Sequence, residues 1–259
     1  MKPNGIITLI TDFGEADGFV GIMKGVILSI NPKATFVDIS HRIPAQDVEA
    51  GAFVLNWSYR YFPTGTIHLV VVDPGVGSER KILAVQSGNY FFVAPDNQVL
   101  KYIFHSSETL TVVDVLNKEF FLKKISHTFH GRDIFAPVAA HLSTGVGIEQ
   151  LGHETKNYDR GKIDHPIITK TNIIGKIVYS DKFGNLISNI PAEEIKQPVS
   201  LIQIGSIRIT QLSNSYIEVA VNQPLAIIGS SGYLEIAIRN GNARQQLSLD
   251  RGAIVRIEF

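Results

Sequence analysis

Apolar residues run almost without interruption through GIITLIT at positions 5–11, and the same β-branched texture returns in TFVDIS, TIHLVVVD, KILAVQS, YFFVAP and LTVVDV. Runs of this length read as strands buried on both faces, the usual condition of a parallel sheet. Between them, apolar positions fall at helical spacing over 19–30, 48–62 and 133–143. Residues 1–160 are therefore expected to form an α/β domain with a mostly parallel sheet. A polar stretch without period, at about 152–167, reads as a linker. Beyond it IIGKIVYS, VSLIQIGSIRIT, YIEVAVN, LAIIGS, YLEIAIR and AIVRIEF alternate or are β-branched, with turn residues between them and no helix of normal length. Residues 168–259 are expected to form a small antiparallel β-barrel.

Composition narrows the function. A chain of 259 residues with 44% hydrophobic content can bury a sizeable core. Lys plus Arg and Asp plus Glu are 24 each, so no charge excess points to a nucleic-acid backbone. With no cysteine, disulfides, thiolate metal sites and a Cys nucleophile are excluded. No apolar run reaches the roughly 20 residues needed to span a bilayer, and polar residues interrupt the amino-terminal run, so neither a membrane partner nor a signal sequence is expected. The expectation is a cytoplasmic protein.

Five segments carry candidate chemistry. In LITDFGEADGF, Asp12 follows a strand and Asp17 precedes a helical pattern; the pair could hold a metal, grip a sugar or begin the helix. In HLVVVDPGVGSERKILAV, Pro74 biases Asp73 toward extended backbone at the sheet rim, and GVGSER lacks the spacing and following helix of a phosphate-binding loop. On its own this segment reads equally as a hairpin-like loop in which Asp73 caps amides and Arg80 is solvated. In SHTFHGRDIFAPVAAHL, Asp133 is explained by a helix amino terminus and His141 by packing, which leaves His130, beside a glycine, as the residue of interest. In IVYSDKFGNLISNIP, Asp181, Phe183 and Asn185 offer an aromatic face and an amide that donates and accepts, the needs of a purine ring, although a β-turn uses the same residues. Finally, IIGSSGYLEIAIRNGNA offers Ser230, Ser231, Tyr233 and Glu235 in and after a glycine-containing loop.

Taken in order, TDFGEADGFVGIMKG, DPGVGSER, FHGRDIFAP, YSDKFGN and SSGYLEIA resemble the adenosine-forming S-adenosyl-L-methionine (SAM) hydrolases, or SAM hydroxide adenosyltransferases, relatives of the SAM-dependent fluorinase and chlorinase. The resemblance implies hydrolysis of SAM to adenosine and methionine by water attacking ribose C5′, with SAM as substrate and neither cofactor nor metal. It implies an Asp73, Arg80 and His130 triad at the reacting carbon, and retention of the aspartate at 73, absent from the halogenating relatives, favours water over halide. It implies that Asp12 bonds the ribose hydroxyls, that Asp17 lies near the methionine amine, and that Asp181, Phe183, Asn185, Ser230, Ser231, Tyr233 and Glu235 contact adenine and methionine. It also implies a homotrimer whose sites lie between the first domain of one subunit and the barrel of the next. Two other readings stay open at this stage: a metal-dependent phosphoesterase built on Asp12, Asp17, Asp73 and His130, and a non-catalytic SAM or adenosine sensor.

Overall fold

The computed structural model describes residues 1–106 and 109–259. The chain divides into two compact units, Met1–Ile163 and Asp164–Phe259. In the first, β1 (Ile6–Thr11), α1 (Phe19–Ile30), β2 (Thr35–Ser40), α2 (Val48–Ser58) and β3 (Ile67–Val71) alternate; β4 (Ile82–Ser87) and β5 (Tyr90–Pro95) form a hairpin; α3 (Lys101–His105), β6 (Leu110–Val115), α4 (Ala136–Ser143) and β7 (Gly152–Glu154) follow. The sheet order is β2-β1-β3-β5-β4-β6-β7. It is parallel from β2 to β5 and antiparallel through β4, β6 and β7.

Because side chains alternate across a strand, Ile7 and Leu9 of β1 face the side covered by α1 and α4, while Thr8 faces Tyr59, just past α2, through His68. Both faces are thus covered, which is why these strands read as continuous apolar runs. β2 and β3 flank β1 on opposite sides, so the strand order reverses beside β1, and the crevice beyond the carboxyl ends of β1 and β3 is a topological switch point.

Three boundaries differ from the sequence expectation. The first three residues of the expected linker, Gly152–Glu154, extend the sheet as β7 against β6. The helix expected over 48–62 ends at Ser58, whose hydroxyl donates to the Val54 carbonyl at 2.7 Å, and a 3-10 turn, Tyr59–Tyr61, continues it. The helix expected from 133 begins regularly only at Ala136, with Pro137 in its first turn, after a wide π-helical turn, Gly131–Phe135.

The second unit contains β8 (Ile167–Ile168), β9 (Asn172–Ser180), β10 (Leu186–Pro191), β11 (Leu201–Ile204), β12 (Ile207–Ile209), β13 (Leu212–Ser213), β14 (Pro224–Ile228), β15 (Tyr233–Ile238), a single helical turn α5 (Ala243–Gln246) and β16 (Ile254–Glu258). Its sheet runs β12-β11-β16-β9-β10-β15-β14-β13, with β8 added to β9, and curls so that β12 meets β14, a nearly closed barrel. Ile173, Ile177, Leu186, Ile202, Leu234, Ile236 and Ile257 fill it. YIEVAVN, expected as a strand, is not one: Tyr216–Glu218 is a 3-10 turn, and Arg239 Nη1 donates to the Ile217 and Val219 carbonyls at 3.2 and 2.7 Å, taking the place of a ladder. No helix among the described residues is long and apolar enough to cross a membrane.

His68 shows what burial on the α2 side of the sheet imposes. It is fully buried, its Nδ1 lies 2.8 Å from the Thr8 hydroxyl, and burial lowers its pKa to about 3. An unfolded imidazole takes up its proton near pH 6.5, so this stabilisation is whole above pH 6.5 and is lost as pH falls toward 3, by up to about 1.4 kcal/mol per pH unit. Denaturant unfolding followed from pH 7 to pH 4 should show that slope, and His68→Gln, which keeps a partner for Thr8, should reduce it by about the same amount.

Candidate active site

Register places the first carboxylates. Thr11 of β1 pairs with Val71 of β3, so Asp12 and Asp73 both follow the carboxyl ends of adjacent parallel strands, at the switch point. Among the described residues no backbone amide donates to the Asp73 carboxylate, and Arg80 is not solvated, as a plain loop would have it. Their side chains are only 5% and 9% exposed. Arg80 Nε donates to Asp73 Oδ1 and Oδ2 at 2.8 and 2.9 Å, and Nη2 donates to Oδ2 as well.

The same Nη2 lies 3.0 Å from His130 Nδ1. Arginine has no acceptor, so Nδ1 must be the acceptor and the imidazole proton sits on Nε2. The guanidinium rests on the Phe135 ring, 5.3 Å from its centroid. Burial, with the Arg80 charge adding to it, lowers the His130 pKa, while Asp73 opposes the shift; the ring is therefore neutral at pH 7.

Two local features let these groups meet. Gly77 has φ +79°, and a Cβ there would stand 2.3 Å from the His127 carbonyl, so the Asp73–Arg80 loop reaches the His130 segment only because residue 77 has no side chain. The π-helical turn then sets His130 at its amino-terminal edge. Asp133, expected to serve the helix amino terminus, instead binds backwards: its Oδ2 accepts from Ser126 N at 2.7 Å and its Oδ1 from Arg132 Nε at 2.5 Å, which ties down the loop before His130. His141 lies against the edge of Phe120.

Asp12 is half-buried, and its Oδ2 accepts from Gln46 N at 2.8 Å. Asp17 is exposed in the turn before α1, whose cap residue is Gly18, so it does not begin the helix. Among the described residues no three His, Asp or Glu side chains are grouped to hold a metal ion. The convergence that a metal-dependent phosphoesterase needs is contradicted more directly by Arg80, whose cation occupies the place between Asp73 and His130.

The barrel unit carries a second cluster. Asp181 organises its own turn: Oδ1 accepts from Phe183 N and Asn185 N, each at 2.9 Å, and Oδ2 accepts from Asn185 Nδ2 at 2.9 Å. One amide N–H spent there holds the Asn185 side chain in place, and the second N–H and the carbonyl oxygen remain to donate and accept. Phe183 is 72% exposed, an open aromatic face. On β15, Glu235 is buried and its Oε1 accepts from Tyr216 OH at 2.6 Å. Burial, reinforced by the Asp181 charge, pushes the Glu235 pKa up, and burial together with Glu235 pushes up that of Tyr216.

Gly229 covers that carboxylate, since a Cβ there would lie 2.7 Å from Glu235 Oε2. In the adjoining β14–β15 turn Ser230 is exposed, whereas Ser231 Oγ is buried with no partner among the described residues. Tyr233 opens β15, its carbonyl accepting from Gly229 N at 3.0 Å. The sequence reading missed Tyr216, which no motif marks, and Phe135 beneath Arg80. It also passed over His41 and Gln46, although they follow a strand end at the same sheet edge.

Residues 7–152 match the N-terminal domain of the SAM hydroxide adenosyltransferases, and residues 175–256 match the C-terminal domain. The chain is 32% identical to the (R)-S-adenosyl-L-methionine hydrolase of Thermus thermophilus, the match covering 99% of this chain and 100% of that protein. It is 35% identical to the protein of the same name from Methanocaldococcus jannaschii, with 95% and 92% covered. A crystal structure of an uncharacterised conserved protein from Thermotoga maritima superposes with a TM-score of 0.91 at 35% identity, covering 98% of this chain and 100% of that one.

Since Arg80 contributes to holding the His130 pKa down, removing its charge should let the ring titrate at higher pH. Arg80→Met, followed by NMR of the imidazole resonances, is expected to raise the His130 midpoint. The adjacent Asp73 carboxylate, freed of its cation, pushes in the same direction.

Proposed function

The chain belongs to the SAM hydroxide adenosyltransferase family, and from that premise we propose that it hydrolyses SAM to adenosine and L-methionine by in-line attack of water on ribose C5′. The observation that carries this reading is one arginine binding both an aspartate and the Nδ1 of a neutral histidine at the sheet's switch point.

The sulfonium leaves as neutral methionine and needs no acid, so the difficulty lies with the nucleophile. Making free hydroxide at pH 7 from water of pKa 15.7 costs about 12 kcal/mol, and proton transfer concerted with attack avoids that cost. His130 is poorly placed to be the base: its Nδ1 lone pair is taken by Arg80 and its Nε2 carries the proton. Asp73 accepts only, and its two oxygens have lone pairs beyond those bonded to Arg80. Asp73 is therefore the group that takes the proton, while His130 Nε2–H and Arg80 orient the water and the carboxylate. A carboxylate here also repels a halide, which supports water as the nucleophile. SAM is substrate, and no step calls for a metal or cofactor.

Asp12 fits the two ribose hydroxyls, because its Oδ1 and the remaining lone pair of Oδ2 are available beside the bond to Gln46. Asp17, exposed on the same loop, fits the methionine amine. The Phe183 ring and the Asn185 amide, which can donate and accept, fit adenine. Asp181 in the β9–β10 turn, Ser230 and Ser231 in the β14–β15 turn, and Tyr233 and Glu235 on β15 are the remaining candidates for adenine and methionine, and the Ser231 hydroxyl, without a partner among the described residues, fits a ligand's polar atom. The active assembly in this reading is a homotrimer, with each site composed of the first unit of one subunit and the barrel of its neighbour.

Incubation with SAM in ¹⁸O-water should place the label in the adenosine 5′-hydroxyl and leave methionine unlabelled. Asp73→Asn should lower kcat by about 10²- to 10⁴-fold with little change in KM. Adenosine without label would overturn the hydrolytic reading.

Mixing tests the assembly. Subunits inactivated by Asp73→Ala and subunits inactivated by Asn185→Ala, unfolded and refolded together, should regain part of the wild-type rate, because some sites then combine two intact halves. No regain would place the whole site within one chain.

A further inference from the structure

The segment HRIPAQ, residues 41–46, grips the strand end that carries Asp12. Lys24 Nζ donates to Asp38 Oδ2 at 2.5 Å, and Asp38 Oδ1 faces His41 Nε2 at 3.0 Å. Burial opposes ionisation of Asp38, but Lys24 and His41 outweigh it and hold its carboxyl below the usual range. On its other side His41 places Nδ1 2.9 Å from the Thr11 hydroxyl, within hydrogen-bond distance. Thr11 Oγ1 in turn accepts from Phe13 N at 3.3 Å, bridging across Asp12. Gly14 N donates to the His41 carbonyl at 2.8 Å, and Gln46 N donates to Asp12 Oδ2.

Residues 11, 13 and 14 are thus tied to His41, and the Asp12 carboxylate is tied to the far end of the same segment. His41 is 5% exposed and Thr11 fully buried, so neither offers itself to a ligand. Gln46 sits in the left-handed region at φ 65°, a conformation uncommon for a residue with a side chain, with its N–H on the carboxylate.

We propose that His41 is a positioning residue that acts through Thr11, setting the backbone around Asp12 so that the carboxylate meets both ribose hydroxyls of the substrate. The inference rests on the assignment of Asp12 to ribose and names a further residue for its recognition.

The test compares adenosine with 2′,3′-dideoxyadenosine, which lacks both hydroxyls, by calorimetry on the purified full chain. Thr11→Val, nearly isosteric, and His41→Asn should each weaken adenosine about tenfold, equivalent to about 1.4 kcal/mol. Affinity for the dideoxy compound should stay unchanged, and Thr11→Ser should restore adenosine binding. In an Asp12→Ala background neither substitution should cost anything more, because the group they aim is gone. Equal losses for both nucleosides, or losses that persist without Asp12, would show a merely structural role and overturn the proposal. If Asp12→Ala by itself weakens both nucleosides alike, the ribose assignment fails instead, and the proposal with it.

Discussion

The site depends on a single guanidinium. A guanidinium has five donors fixed in a plane, so Arg80 can bind a carboxylate with one edge and still reach an imidazole. Here it reaches Asp73, 7 residues away, and His130, 50 residues away. That bond decides which imidazole nitrogen carries the proton and engages the lone pair of the other. Such a cation is tolerated nearly out of solvent because Asp73 neutralises it and Phe135 supports its flat face.

Much of the surrounding architecture meets the requirements of that contact. The parallel part of the sheet brings the ends of β1 and β3 to one edge, Gly77 allows the loop after β3 to touch the His127 backbone, and the π-helical turn sets His130 at its rim. Asp12 is held by a separate network on the other side of the β1 end, made from the segment after β2. On the barrel unit, polar side chains likewise hold one another: Asp181 accepts from the Asn185 amide, and Tyr216 occupies one oxygen of Glu235.

Legibility in the sequence followed the range of the interaction. The strands of the first unit are read from continuous apolar runs, because burial on both faces is a local demand on every residue. YIEVAVN misleads for the converse reason: its composition suits a strand, but the Arg239 side chain satisfies its carbonyls and Tyr216 is drawn to Glu235. The polar residues at 152–154 look like linker, yet pairing with β6 makes them a strand. Asp12, Asp73, Arg80 and His130 stand out because motifs place polar groups beside glycines at strand and helix ends. Tyr216 and His41 do not, since Glu235 and Thr11, which they meet, lie 19 and 30 residues away.

By itself the sequence determined the class of the two units and the chemical inventory of the site: carboxylates, an arginine, a histidine and an aromatic ring, with no thiol. Periodicity and residue type are properties of short stretches, and they survive without knowledge of the fold. Tertiary structure alone decided the states of those groups: Arg80 between Asp73 and His130, the proton on His130 Nε2, Asp181 turned inward on its own loop, and the Ser231 hydroxyl left without a partner among the described residues. Protonation, direction of donation and burial depend on which atoms lie within about 3 Å, and contacts between residues 19, 30 and 50 positions apart are set only when the sheet and barrel close.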